Sequence, residues 1–166
     1  MKAKLIVEGK EFDIDILDPE LQKLLKPQKK TGYERVDVDK IFYYIDCDSC
    51  VEDCMESYTS AVDDSYKVAN YYSDHTVAEN NARADKLMRQ LRRFAVEHRE
   101  SKLDWHSCSE KCFIDYSAAY GISTGCTTDW HTPGAIYFDS EKTCQLAIEA
   151  FHDELFWYFT EYKDSL

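Results

Sequence analysis

Three cysteines stand close together in the first half of the chain, at a spacing that suits metal binding. Cys47, Cys50 and Cys54 follow the pattern C-x2-C-x3-C. A structural Zn2+ site takes four tetrahedral ligands, chiefly Cys thiolates and His nitrogens, and close pairs of them are two to four residues apart. The N-terminus lacks the apolar segment of a signal peptide, so we expect a cytoplasmic protein whose thiols stay reduced. The cluster therefore predicts a structural rather than catalytic zinc site that still needs a fourth ligand.

The second half of the chain offers candidates for that ligand. Cys126 is the first choice, because Gly125 before it frees the backbone and its loop corresponds in position to the loop with the three cysteines. The alternatives are Cys108, His106 and His131. Two other interpretations remain open: free thiols that pack as small hydrophobes, expected above all for Cys112 and Cys144, and disulfides, although seven cysteines cannot all pair.

The cysteine cluster lies within a strongly acidic stretch. Residues 41–66 contain seven acids and no Lys or Arg, and the whole chain has a net charge of -12. Proteins that bind the phosphate backbone need clustered positive charge, so we expect no direct nucleic-acid binding. The acidity suits a protein that engages a basic partner, and the alternative is that it serves solubility alone. The predicted contact residues are Asp46, Asp48, Glu52, Asp53, Glu56, Asp63 and Asp64.

Motifs for catalysis are incomplete. His98 and Glu100 match the H-x-E half of the zinc deaminase signature, but the P-C-x-x-C half is missing, since Cys108 and Cys112 are separated by three residues and no proline precedes them. The chain has no H-E-x-x-H, no G-x-S-x-G and no glycine-rich phosphate loop. We therefore predict that the protein is not an enzyme, with a metal-dependent hydrolase as the third interpretation of its function.

The elements that would position these residues begin with a small N-terminal unit, predicted over residues 1–26. Lys2 to Val7 and Glu11 to Leu17 alternate apolar and polar residues around a short turn, which predicts a β-hairpin. Asp18 and Pro19 fit the N-cap and first position of a short helix. Residues 27–34 are polar, contain Pro and Gly, and are predicted to be a linker.

Residues 35–166 then repeat one pattern, in predicted units 35–100 and 101–166. Tyr44-Ile45-Asp46 matches Phe113-Ile114-Asp115, and the segment from Ala69 to Asp74 matches the segment from Ala135 to Ser140. Each copy leads into a long amphipathic helix. The pattern predicts an α+β fold in which two strand-loop-strand-helix units form one antiparallel sheet with both long helices packed on one face.

Several motifs give the chain a family resemblance that covers nearly its whole length: KAKLIVEGKEFDIDILDPELQKLL, KKTGYERV, YYID, YYSD, RRFAVEH and IYFDSEKT. The chain resembles small accessory proteins of phages and mobile elements of Gram-positive bacteria, a class that includes type II-A anti-CRISPR proteins. The resemblance implies an inhibitor that binds a guide-loaded Cas9-type nuclease, on its recognition lobe, and blocks loading of target DNA. It also implies bound zinc, although the cysteine loop is an elaboration of this chain and no ligand positions are carried over to it.

An interaction module of another kind fits the same residues. On this alternative, zinc stabilises an adaptor that redirects a different host factor. The chain has no run of about 20 apolar residues, so no membrane-spanning segment is expected.

Overall fold

The computed structural model describes residues 2–7, 10–15, 17 and 30–162. Strands β1 (Lys2–Val7) and β2 (Lys10–Asp15) pair antiparallel, as the alternating pattern predicts. The predicted short helix after Asp18 and the first residues of the predicted linker lie outside the described residues. The division of the chain into domains stays a prediction.

The end of the predicted linker packs against the rest of the protein. Ser73 donates through its backbone N–H to the Gly32 carbonyl at 2.8 Å and through its hydroxyl to Glu34 at 3.0 Å. The rings of Tyr33 and Tyr72 lie 5.4 Å apart. Residues 32–34 are therefore part of the folded body.

The first repeated unit contains two strands and two helices. Strands β3 (Ile41–Ile45) and β4 (Val51–Met55) form an antiparallel hairpin, followed by helix α1 (Ser60–Lys67) and helix α2 (His75–Glu97). Just before α2, the chain makes an isolated antiparallel bridge between Tyr72 and Tyr43 of β3.

The second repeated unit also begins with a hairpin, and a short third strand takes the place of the isolated bridge. Strands β5 (Lys111–Ser117) and β6 (Gly121–Thr127) form a hairpin, and β7 (Tyr137–Phe138) pairs with the other edge of β5. Helix α3 (Glu141–Ala150), helix α4 (His152–Trp157) and a π-helical turn (Tyr158–Tyr162) follow.

The two helix starts show the repeat most clearly. Asp74 caps α2 by accepting from the Val77 N–H, and Ser140 caps α3 by accepting from the Thr143 N–H. The sequence alignment of the two units places Asp74 and Ser140 at the same position. A capping side chain satisfies one of the free N–H groups that every helix start exposes, so both units begin their helix with the same device.

The predicted α+β class is confirmed, with two differences in detail. The described strands form three separate sheets, β1-β2, β3-β4 and β6-β5-β7, so the two repeated units do not share the single sheet predicted for them. The predicted second long helix is interrupted at Phe151, whose backbone (φ -121, ψ 22) leaves the helical region between α3 and α4.

Helix α2 joins the two units in place of a shared sheet. Its residues Leu87 and Leu91 are almost completely buried and belong to the main core. The other buried members of this core come from α2 and the second unit: Ala95, Cys112, Phe138, Cys144, Ala147, Ile148 and Leu155. A smaller cluster of Phe42, Val62 and Tyr71 lies within the first unit.

Candidate functional site

Strands β3 and β4 with their turn form what we call the acidic hairpin, residues 41–55. The turn is closed by backbone hydrogen bonds from Asp46 N to Cys50 O at 2.9 Å and from Ser49 N to Asp46 O at 3.0 Å. The carboxylate of Asp46 also accepts from the N–H of Cys47 at 2.6 Å, and that of Asp48 accepts from the N–H of Cys50 at 3.2 Å. Short polar side chains that bond to nearby backbone in this way stabilise turns.

Two contacts fix the acidic hairpin to the rest of the first unit. The side-chain amide of Asn70 both accepts from Ile45 N at 2.8 Å and donates to Ile45 O at 2.9 Å. Arg89 of α2 donates to the Ser49 hydroxyl at 2.6 Å. The hairpin is therefore held in one orientation at its last paired residue and at its turn.

The hairpin's carboxylates face solvent. Asp46, Asp48, Glu52 and Asp53 are all exposed. None of them forms an ion pair with any residue in the part of the chain that the structure describes. Unpaired carboxylates on one short hairpin create a concentrated negative potential that falls off over about 10 Å at moderate salt.

Three other predicted contact residues are placed differently. Glu56 is completely buried, so its prediction as a partner contact is wrong. Asp63 is half-buried and forms an ion pair with Arg35, with 2.7 Å between the guanidinium nitrogen and the carboxylate oxygen. Asp64 is exposed and lies 3.4 Å from Lys67, one helical turn along α1.

Burial of Glu56 is explained by the groups around its carboxylate. Arg35 donates two hydrogen bonds to it at 3.0 and 3.1 Å, and the Tyr71 hydroxyl donates a third at 2.8 Å. The backbone N–H of Tyr58 donates a fourth at 2.7 Å. These bonds, those from Arg35 foremost, lower the pKa of Glu56 from about 4.5 to about 2. The Arg35 guanidinium also lies over the rings of Tyr58 and Tyr66, at 4.4 and 5.5 Å from their centres. Such a buried charge is stable only when its partners satisfy it fully.

The three clustered cysteines are exposed free thiols. Cys47 and Cys50 lie in the turn of the acidic hairpin, and Cys54 lies on β4 opposite Phe42. Hydrogen bonding to Asp46 and Asp48, followed by the charges of these carboxylates, raises the pKa of the Cys47 and Cys50 thiols and favours their protonated form. Among the described residues, no three His, Cys, Asp or Glu converge on a point that could hold a metal ion. Zinc binding by these side chains stays a prediction.

Cys126 lies opposite Cys112 on the neighbouring strand, and the two sulfurs are in disulfide contact. This placement differs from the predicted role of Cys126 as the fourth metal ligand and of Cys112 as a buried free thiol. Gly125 was predicted to free the backbone before Cys126, but the structure gives it a different role. A Cβ at that position would lie 2.7 Å from the Phe113 ring, so glycine leaves room for this ring across the strand pair.

The alternative ligands make other contacts. The His131 ring lies against the Trp105 ring, with centroids 3.6 Å apart and planes tilted by 32°, and the backbone N–H of His106 donates to Asp104. Cys108 is an exposed free thiol. Cys144 is completely buried on α3, as predicted, and burial raises its pKa to about 12.

Lys111 is a structural residue that sequence reasoning missed. It is completely buried, and its ammonium donates to the carbonyls of Ser107, Ser109 and Thr128 at 2.9, 2.7 and 3.2 Å. The ammonium also lies 5.2 Å from the centre of the Trp105 ring. Because lysine is rarely buried, and its acceptors here are backbone atoms of two loops, no motif in the sequence could indicate this role.

Comparisons with known proteins returned no match to a family model, to a curated protein or to a solved structure. Within the described residues, no helix combines the length and the apolar character needed to span a membrane.

Proposed function

We propose that the chain is a binding protein whose acidic hairpin contacts a positively charged surface, and that its partner is a guide-loaded Cas9-type nuclease. One observation carries this proposal: Asp46, Asp48, Glu52 and Asp53 are exposed and unpaired within the described chain, on a hairpin fixed to the fold at its turn. Preorganised charge costs less entropy on binding than charge on a mobile segment.

Apolar contact area is available beside these acids. Ile41 and Met55 are directly opposite each other at the open end of the hairpin, with exposed fractions of 51% and 56%. Protein interfaces commonly combine an apolar centre with a polar rim. The hairpin offers both within one strand pair.

The proposed partner follows from charge and from the family resemblance. Cas9-type nucleases hold the guide-target heteroduplex and the displaced strand in positively charged channels. A chain of net charge -12 is suited to occupy or obstruct such a channel and is poorly suited to bind DNA itself. The inhibitor would act in the bacterial cytosol by binding rather than by catalysis.

An electrophoretic mobility assay tests this function. Guide-loaded nuclease is mixed with labelled target DNA, with and without the protein, and the fraction of bound DNA and its cleavage are measured. We expect the wild-type protein to prevent the DNA shift in proportion to its concentration. Unchanged DNA binding and cleavage at a large excess of protein contradict the proposed partner.

Matched charge variants connect the activity to the hairpin. The test variant replaces the four hairpin acids with amides, namely Asp46→Asn, Asp48→Asn, Glu52→Gln and Asp53→Asn. The control variant removes the same charge from exposed acids elsewhere, namely Glu97→Gln, Glu149→Gln, Asp153→Asn and Glu161→Gln. The test variant should lose inhibition while the control variant keeps it, because local charge and not net charge determines docking.

A further inference from the structure

Strand β6 has an open edge. It lies at the end of the sheet order β6-β5-β7, and no described strand pairs with its outer side. Its pairing with β5 runs without a bulge from Lys111↔Thr127 to Ser117↔Gly121, and its sequence, GISTGCT, contains no charge and no proline. Natural edge strands usually carry one of these features as protection against pairing with another chain. β6 carries none of them.

The register shows which backbone groups point outward. The Cα atoms of Cys112 and Cys126 are 4.1 Å apart, which identifies a non-hydrogen-bonded pair of the antiparallel ladder. The N–H and C=O of Cys126 therefore point away from β5, and alternation gives Thr124 and Ile122 the same orientation. No described group makes a hydrogen bond with these outward backbone atoms. They form a row of donors and acceptors to which a further strand can be added.

A cavity of about 510 Å³ lies at the C-terminal end of this edge. We call it the Trp130 notch. Trp130, which is 76% exposed, lines it together with Phe113 and the last residues of β6. Glu110 and Asp129 also line it.

The backbone around Trp130 is fixed although its ring is exposed. The Trp130 N–H donates to the Thr127 hydroxyl at 3.0 Å, and the Tyr137 hydroxyl donates to the Trp130 carbonyl at 3.2 Å. Lys111 holds the neighbouring carbonyl of Thr128. An exposed tryptophan on a fixed loop is typical of binding hot spots, because its large ring buries area at little cost in entropy.

The chemistry of the notch indicates a cationic occupant. Glu110 and Asp129 are exposed, and neither forms an ion pair with the described part of the chain. A tryptophan face attracts a guanidinium or ammonium group, and carboxylates beside it neutralise the charge. The side chain of an arginine or lysine satisfies both features.

We propose that the β6 edge and the Trp130 notch form one docking surface for an extended, basic segment of a partner protein. The segment would add a strand beside β6 and place an arginine or lysine side chain in the notch. A second copy of this chain is a poorer occupant, since its β6 has no cation and each copy has a net charge of -12. The surface belongs to the second unit and does not depend on the acidic hairpin of the first.

Peptide titration monitored by NMR tests the proposal. The probe is an acetylated, amidated peptide of alternating threonine and arginine, as long as the seven residues of β6. Its control has glutamate in place of arginine. We expect the arginine peptide to shift the amide resonances of residues 121–130 and the Trp130 indole resonance, and the glutamate peptide to leave them unchanged.

Two variants separate the edge from the notch. Trp130→Ala should weaken binding about tenfold through the lost cation–π contact and apolar area. Thr124→Pro removes an outward N–H without removing a ladder bond, so it should weaken binding while β5-β6 pairing persists. Tyr120→Ala, at the opposite end of the hairpin and 88% exposed, is the control that should bind like wild type.

Three results overturn the proposal. These are no shift along β6 at millimolar peptide, equal binding of the two peptides, or a self-association of the protein that already covers β6. If Thr124→Pro fails to fold, the affinity of the Trp130→Ala variant for the arginine peptide tests the proposal alone. Wild-type affinity in that variant would show that the notch does not bind the peptide.

Discussion

At the scale of single residues, Arg35 makes two acids of the first unit part of the fold. It binds the buried carboxylate of Glu56 and the half-buried carboxylate of Asp63. Asp46 and Asp53, a few residues earlier, have no such partner among the described residues and remain exposed. Aspartate therefore stabilises the fold at position 63 and is exposed for binding at positions 46 and 53.

The Glu56 carboxylate makes the stability of the fold depend on pH. Its pKa is about 2 in the folded protein against an ordinary value of about 4.5. A carboxyl group with a lowered pKa stabilises the fold above its unfolded pKa, and this contribution is lost as the pH falls toward the folded value. Glu56→Gln should lower the melting temperature at neutral pH, and the difference from wild type should shrink between about pH 5 and pH 3.

Thermal melts of both proteins across this pH range measure the effect. The pKa of Glu34 is also lowered to about 2, chiefly by the backbone N–H of Thr31. Because both proteins contain Glu34, its contribution to the pH dependence cancels in the comparison. A melting difference that stays constant with pH would show that Glu56 does not carry the proposed charge in the folded state.

At the scale of elements, Lys111 at the start of β5 ties two loops to the β6-β5-β7 sheet. Its ammonium bonds to carbonyls on both sides of the β5-β6 hairpin, those of Ser107 and Ser109 before it and that of Thr128 after it. The loop that carries Trp130 thus depends on a residue buried beneath it.

Lys111→Met should release both loops while keeping an apolar side chain of similar length. We expect the free energy of unfolding to fall by about 1.5–3 kcal/mol, the usual value of hydrogen bonds to a charged group, because three loop carbonyls lose their charged donor. Urea denaturation measures this loss, and hydrogen exchange should show faster exchange of the amides in residues 105–109 and 128–130. The matched variant Lys102→Met, at an exposed position, should change neither quantity.

Local patterns predicted the elements better than the contacts between them. The N-terminal hairpin follows from alternation, and the two helix starts follow from the matching segments that precede them, and both patterns act within a few positions. The pairing of Cys112 with Cys126 depends on strand register, and the burial of Glu56 depends on Arg35, 21 residues away. The interruption at Phe151 occurs inside a continuous amphipathic pattern, because the apolar spacing continues through it.

At the scale of the whole molecule, helix α2 connects the two repeated units through a shared hydrophobic core. Leu87 and Leu91 belong to the first unit in sequence and pack against Phe138 and Leu155 of the second. Since the sheets of the two units are separate, this helix carries the apolar contact between them.

Leu87→Ala should destabilise both units together. Leu87 is 1% exposed, and truncating a leucine at such a position usually costs about 2–5 kcal/mol through lost burial and an unfilled cavity. Chemical denaturation is followed by tryptophan fluorescence, which reports on the second unit because Trp105, Trp130 and Trp157 all lie there, and by far-UV circular dichroism, which reports on both units. Both signals should give a single transition at lower denaturant with an unchanged slope. Two separated transitions would mean that the units fold independently.

The proposed interaction depends on the acidic hairpin, and one measurement tests it most directly. Isothermal titration of guide-loaded Cas9-type nuclease gives the affinity of the wild-type protein, of the variant with four hairpin amides and of the control variant with the same net charge. We predict a complex that weakens with salt, a loss of roughly tenfold or more in affinity for the hairpin variant, and wild-type affinity for the control. Equal affinities for the hairpin variant and the wild type, or no complex at all, would contradict the account.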